Sequence, residues 1–225
     1  MDRRRFLLGA APAVGLATLV QAGCERSAGT QDHPYAPNYF RPAEWHFVLA
    51  AIARLIPAEG AGPGGIEAGV PEFIDRQMEL PYGHGSYFYL KGPFHPDSPA
   101  TLGYQLRFTP REIYRLGIAD ADAAVRAAHG REFARLEAPQ QDQFLESMEH
   151  GRLEFPTVPA PALFSQLLEN TREGYFSDPI HGGNRGMVAW RWIGFPGARA
   201  DFTDWLDQAG VEYPYGPVSI GGTRT

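Results

Sequence analysis

The sequence predicts a mainly α protein: a single irregular helical domain with long aromatic, glycine- and proline-rich loops, set behind an N-terminal signal peptide. Three observations predict it. Apolar residues recur at helical spacing in successive segments, and nearly every such segment opens at a proline, which suits the first helical turn because its missing N–H has no partner there. No alternating apolar–polar run exceeds a few residues, so no strand is expected. Between the helical segments the chain is punctuated by many of its 26 glycines and 20 prolines, the residues that mark turns and loops.

The N-terminus sets the compartment. Arg3-Arg4-Arg5-Phe6-Leu7 reads as a twin-arginine pattern, with Arg3 and Arg4 as the pair, Arg5 as the variable position and Phe6-Leu7 completing it. Asp2 and Leu8 stand where Ser or Thr and Lys are often found. From Phe6 to Ala22 the chain is uncharged and rich in Ala, Gly and Leu. That stretch is too short and too small-sided for a stable membrane span and reads as the apolar region of a signal peptide. It ends in Ala22-Gly23-Cys24, similar to the last residues of a lipobox, with Gln21 where Leu is usual. Acylation of Cys24 and ordinary peptidase cleavage both fit. Cys24 is the single cysteine, so no intrachain disulfide is available.

The expected organisation is a signal peptide over 1–24, a polar flexible tether over 25–39 and a helical domain over 40–225. The expected location is the periplasm, with a lipid anchor if Cys24 is acylated. The twin-arginine translocase exports folded proteins, so a cofactor is loaded beforehand, on this chain or on a bound partner. The net charge of −6 and the scatter of basic residues after the leader argue against nucleic acid as a partner.

Taken in order, the mature chain reads as follows. Trp45, Val48, Leu49, Ile52 and Ile56 recur at helical spacing over 42–57, opened by Pro42 and closed by Pro57. Arg41 stands where Ser or Thr would cap better. A glycine-rich segment follows, then Val70-Pro71-Glu72 starts a second helix that buries Phe73, Ile74 and the neighbouring Gln77-Met78. Residues 81–102 form a long irregular stretch carrying Tyr82, Tyr87, Phe88, Tyr89 and Phe94; loops of this length in a compact domain tend to be functional. Thr109-Pro110-Arg111-Glu112 combines an N-cap, a proline and the acid of a capping box, and its helix runs to Gly130. Pro139 opens another to Gly151, and Pro161 a fourth major one, with Phe164, Leu167, Leu168, Thr171 and Tyr175 on one face. Phe202, Trp205, Leu206 and Ala209 fit a last short helix.

Cofactor and catalytic signatures are missing. One cysteine excludes a c-type haem or an iron–sulfur cluster on this chain. No Gly-x-Gly-x-x-Gly turn joins a strand to a helix, so a dinucleotide-binding fold is not expected. None of the seven histidines pair at i, i+4 on a helix; a metal site would need loop residues such as His84, His95, Asp178 and His181. Ser177, Asp178 and His181 lie too close in sequence to form a triad readily. Gly182-Gly183-Asn184-Arg185-Gly186 suits either an anion-binding nest or a plain turn in which Arg185 pairs with Asp178; the plain turn is preferred, because no helix start follows at the right place.

The segments TREGYFSDP (171–179), GGNRGM (182–187) and GFPGAR (194–199), with VPEFID (70–75) and YLKGPF (89–94), resemble the signature of the gluconate 2-dehydrogenase subunit 3 family. The resemblance spans about 40–220. It implies a non-catalytic small subunit of a membrane-associated dehydrogenase complex. In such a complex FAD sits on a large glucose–methanol–choline-type flavoprotein, and c-type haem on a multihaem cytochrome partner. The small subunit carries the export signal and aids maturation of the flavoprotein. The expected partner interface comprises Asp178, Asn184, Arg185, Trp190, Trp192 and Phe195. The alternative is a self-contained periplasmic enzyme or ligand-binding protein using loop residues around 81–102 and 177–199.

Overall fold

A computed structural model of the chain describes residues 35–224 apart from 61. The described residues form six α-helices joined by irregular segments and short 3-10 turns, with isolated bridges and no strand. In chain order the helices are α1 (Pro42–Leu55), α2 (Val70–Glu79), α3 (Pro110–His129), α4 (Ala138–Glu149), α5 (Ala160–Phe176) and α6 (Val188–Ile193).

Helix α5 is central and packs against the other five. Of the face read from the spacing, Phe164, Leu167, Thr171 and Tyr175 are buried together with Leu163, while Leu168 is only partly buried against the core. Gly174 lets α2 approach it closely: a Cβ there would fall 2.7 Å from Phe73 Cδ1. Gly117 on α3 does the same against Leu163, at 3.2 Å. A buried polar network crosses the core, in which the Tyr114 hydroxyl donates to Asn170 Oδ1 at 3.0 Å and Asn170 Nδ2 donates to the Tyr82 hydroxyl at 2.9 Å. It ties the start of the 81–102 stretch to α5.

Helix starts follow the local chemistry. At α3, Glu112 Oε2 accepts the Thr109 N–H at 2.8 Å while Thr109 Oγ1 accepts the Glu112 N–H at 3.3 Å. This is the reciprocal box read from the sequence. Gly130 closes α3 at φ 68°. At α1 the missing Ser or Thr cap is compensated from the other side, because Glu44 Oε2 accepts the Arg41 N–H at 2.8 Å and also pairs with Arg115. The described part of the expected tether, 35–39, is held down by Asp75 on α2. The fully buried Asp75 carboxylate accepts the Tyr35 hydroxyl and the N–H groups of Asn38, Tyr39 and Phe40 at 2.8–3.1 Å.

Two elements differ from expectation. The predicted last helix is reduced to the 3-10 turn Thr203–Trp205. Its aromatic side chains pack on one another, with Trp205 and Tyr213 centroids 5.3 Å apart and Phe202 and Tyr213 5.6 Å apart, while Leu206 is left exposed. The spacing was amphipathic, but this segment stacks within itself and offers the helical core no face to cover. Conversely, α6 forms inside the glycine-rich stretch after α5, where the sequence showed no helical period.

Candidate partner-binding surface

The segment after α5 is shaped by glycines and by two polar side chains turned inward. Asp178 caps the 3-10 turn Pro179–His181, one carboxylate oxygen accepting the Ile180 N–H at 3.0 Å and the other the Ile220 N–H at 2.6 Å. Gly183 then crosses the end of α5 so closely that a Cβ would sit 2.1 Å from the Gly174 carbonyl oxygen. Only glycine fits that crossing. Asn184 follows in the left-handed region at φ 43°. Its side chain, 0 % exposed, donates to the Ser177 carbonyl at 3.0 Å and accepts the Ala189 N–H at 2.9 Å. Asn184 therefore both fastens the turn to α5 and satisfies one of the orphan donors at the start of α6.

Helix α6 sorts its two tryptophans. Trp190 is 6 % exposed, and its indole N–H donates to the Phe176 carbonyl at 2.9 Å, satisfying one of the last carbonyls of α5. Trp192 is 55 % exposed and Ile193 beside it is equally open. Phe195, half exposed, stands edge-on to Trp190 with centroids 5.1 Å apart. Arg185 is anchored by its N–H to the Ala68 carbonyl at 2.8 Å, and its guanidinium pairs with the buried Glu72 while the side chain stays 58 % exposed. The expected pairing of Arg185 with Asp178 is corrected. Both Asp178 oxygens are already engaged by backbone N–H groups, and the carboxylate that Arg185 meets is that of Glu72 on α2.

Of the six residues expected at an interface, the structure places Asp178, Asn184 and Trp190 inside the fold, where they hold the segment's shape. Arg185, Trp192 and Phe195 are on the outside. Phe176, Ile180 and Ile193, also exposed, join them and were not singled out from the sequence; each is one apolar residue in a mixed stretch, and only the turn geometry turns it outward. Arg3, Arg4, Phe6, Leu7 and Cys24 lie outside the described residues.

The catalytic possibilities weighed from sequence do not assemble. Ser177 Oγ donates to the Gly174 carbonyl at 3.1 Å and Asp178 is committed to backbone, so neither is directed at His181. His84 Nε2 faces Arg111 Nη1 at 2.8 Å, and among the described residues no three His, Cys, Asp or Glu side chains cluster to hold a metal ion. The open cavities are dispersed. One of about 330 Å³ is lined by Phe94, Pro96 and Arg107 together with Thr157 and Pro159. Another, of about 460 Å³, lies among Arg199, Phe202, Trp205, Tyr213 and Tyr215. Burial pushes the Tyr104 hydroxyl up to about 12 and raises the Asp122 carboxyl, both away from the 176–195 segment.

The sequence profile of gluconate 2-dehydrogenase subunit 3 matches residues 42–197. The chain belongs to the gluconate 2-dehydrogenase subunit 3 family. Comparison with curated proteins and with solved structures gives no match. The subunit 3 match runs from the first residue of α1 to Gly197 and so contains the whole of the outward-facing ridge at 176–195. The aromatic cluster at 202–215 lies beyond it.

Proposed function

We propose that this chain is the non-catalytic small subunit of a periplasmic, membrane-associated, FAD-dependent sugar or sugar-acid dehydrogenase complex. It carries the twin-arginine signal for the pair and aids maturation of the flavoprotein subunit, which in turn passes electrons to a multihaem cytochrome c. The observation that carries this reading is the family match over 42–197. Two others support it. The leader Arg3-Arg4-Arg5-Phe6-Leu7 is of the kind that exports folded cargo. The ridge formed by Trp192, Ile193 and Phe195 presents large apolar side chains to solvent next to Arg191, and exposed apolar patches of this kind mark contact sites. Trp and Arg are also the side chains most enriched among interface hot spots.

The test is export of the pair. Replacing Arg3 and Arg4 together by Lys strands both this chain and the flavoprotein in the cytoplasm. Arrival of the flavoprotein in the periplasm with the variant contradicts the shared signal. The N-terminus of the mature chain, read by mass spectrometry, separates the two fates of Cys24. A lipidated Cys24 as first residue gives a membrane anchor, two acyl chains being enough to hold firmly where one is marginal.

A further inference from the structure

The ridge has an electrostatic sign. Within 174–199 the only acid is Asp178, and it is buried with both oxygens bonded to backbone N–H groups. Arg185 and Arg191 are exposed there, in a chain of net charge −6. A third arginine reaches the same turn from α2: a Cβ on Gly182 would lie 2.4 Å from Arg76 Nη1. The turn is a continuous bridge between the three. Arg185 Nη2 lies 3.2 Å from the position of a Cβ on Gly69, which also faces the Gly182 carbonyl, and Arg191 Nη2 lies 4.0 Å from that of Gly186. Glu72 partly neutralises Arg185, but among the described residues no carboxylate pairs with Arg76 or Arg191.

Apolar side chains flank this cationic centre on both sides. Leu80 and Ile180, both exposed, line one cleft with Arg76. Trp192 lines another with Arg191 and Pro63. Besides Glu72, two acids sit at the margins: Glu79 in the first cleft is engaged by Arg111 at 3.5 Å, and Glu59 borders the Trp192 end through its backbone contact with Gly62.

We infer that the ridge docks a carboxylate-bearing surface of the flavoprotein subunit, with acidic side chains of that subunit seated between Arg76, Arg185 and Arg191 and apolar pockets receiving Trp192 on one side and Ile180 on the other. This rests on the reading that the ridge is the docking surface and adds the charge of what it meets. An acidic chain gains from offering a cationic ridge to an acidic partner, because the two then meet where their charges are complementary, and this sets both encounter rate and register. Guanidinium groups favour carboxylates, which they engage through paired hydrogen bonds.

The test uses the co-purified complex with the flavoprotein. Its dissociation constant is measured at rising ionic strength, and then for Arg76→Glu, Arg191→Glu, Trp192→Ala and, as a control, Arg131→Glu in the exposed segment after α3. The expected result is affinity that falls steeply with salt, a loss of roughly tenfold or more for Arg76→Glu and Arg191→Glu, and no change for Arg131→Glu. The salt series needs no variant and so stands even if a substitution harms folding. Binding that ignores salt and both charge reversals but fails with Trp192→Ala overturns the acidic partner and leaves the docking surface in place. Binding that ignores Trp192→Ala as well overturns both. A parallel flotation of the full chain with phosphatidylglycerol vesicles covers the remaining occupant: charge reversals that abolish vesicle binding while the complex is unaffected assign the ridge to an anionic lipid surface and overturn the inference.

Discussion

Asn184 shows how one side chain sets the site. It spends its amide on the Ser177 carbonyl and its oxygen on the Ala189 N–H, and the left-handed backbone at φ 43° is one that asparagine tolerates. Asn184→Ala orphans two buried groups, so the isolated chain is expected to lose about 1–3 kcal/mol and melt earlier. The two tryptophans divide in the same way. Trp190→Ala opens a cavity and removes the partner of the Phe176 carbonyl, a loss of roughly 3–5 kcal/mol seen in the melting of the isolated subunit. Trp192→Ala leaves melting within about 0.5 kcal/mol and costs roughly 2 kcal/mol or more in binding the flavoprotein. Matching melting curves for the two variants would contradict this division. Asp122 makes a prediction in pH. Burial raises its carboxyl above 3.8, against the opposing pull of the Phe133 N–H. The folded state then holds its proton to higher pH than the unfolded chain, so this group's contribution to stability falls as pH rises from 3.8 through the folded value. Asp122→Asn removes that loss, and the variant's melting temperature should gain on the parent's as pH climbs through this window.

At the scale of elements, what was legible in the sequence was what is decided locally. Prolines at 42, 71, 110, 139 and 161 lie in the first turn of α1 to α5, and the Thr109–Glu112 box and Gly130 fix both ends of α3. These signals need no knowledge of the rest of the fold. The segment after α5 was recognisable as unusual but its division into inside and outside was not. Trp190 and Trp192 are two residues apart on a helix of six residues, too short for a period to appear, and which one turns inward depends on where the Phe176 carbonyl lies. The 202–209 period was real but had no core to face. The glycines of this segment carry distinct burdens. Gly183→Ala drives a methyl group into the Gly174 carbonyl and should cost a few kcal/mol, about what forced overpacking costs. Gly186→Ala meets nothing closer than 4.0 Å and carries only the penalty of φ 64°, about 1 kcal/mol. Equal melting temperatures for the pair would show that the close crossing at Gly183 is not the constraint.

For the whole molecule, the fold is a helical core around α5 that holds one shaped ridge on its surface. Asp178 and Asn184 lock that ridge from within, and the C-terminal residues fasten both its ends: the Ala198 N–H meets the Val218 carbonyl at 2.7 Å beyond Phe195, and the Ile220 N–H meets Asp178 at the start. A rigid ridge suits a partner that must be held in one orientation, since little ordering cost is left for the moment of binding. In the proposed function the leader and the ridge serve one role, the first exporting the assembly and the second holding it together. Purified alone, the chain is expected to be colourless, and a stoichiometric flavin or haem band from it would contradict the accessory role. The most direct measurement is size-exclusion chromatography of the complex from periplasm expressing parent or Trp192→Ala chain with the flavoprotein, recorded at the flavin absorption. The parent is expected to co-elute with a flavin-bearing partner and the Trp192→Ala chain to elute folded but apart from it. A Trp192→Ala chain that still co-elutes in full, or a parent chain that elutes alone, would contradict the proposed docking.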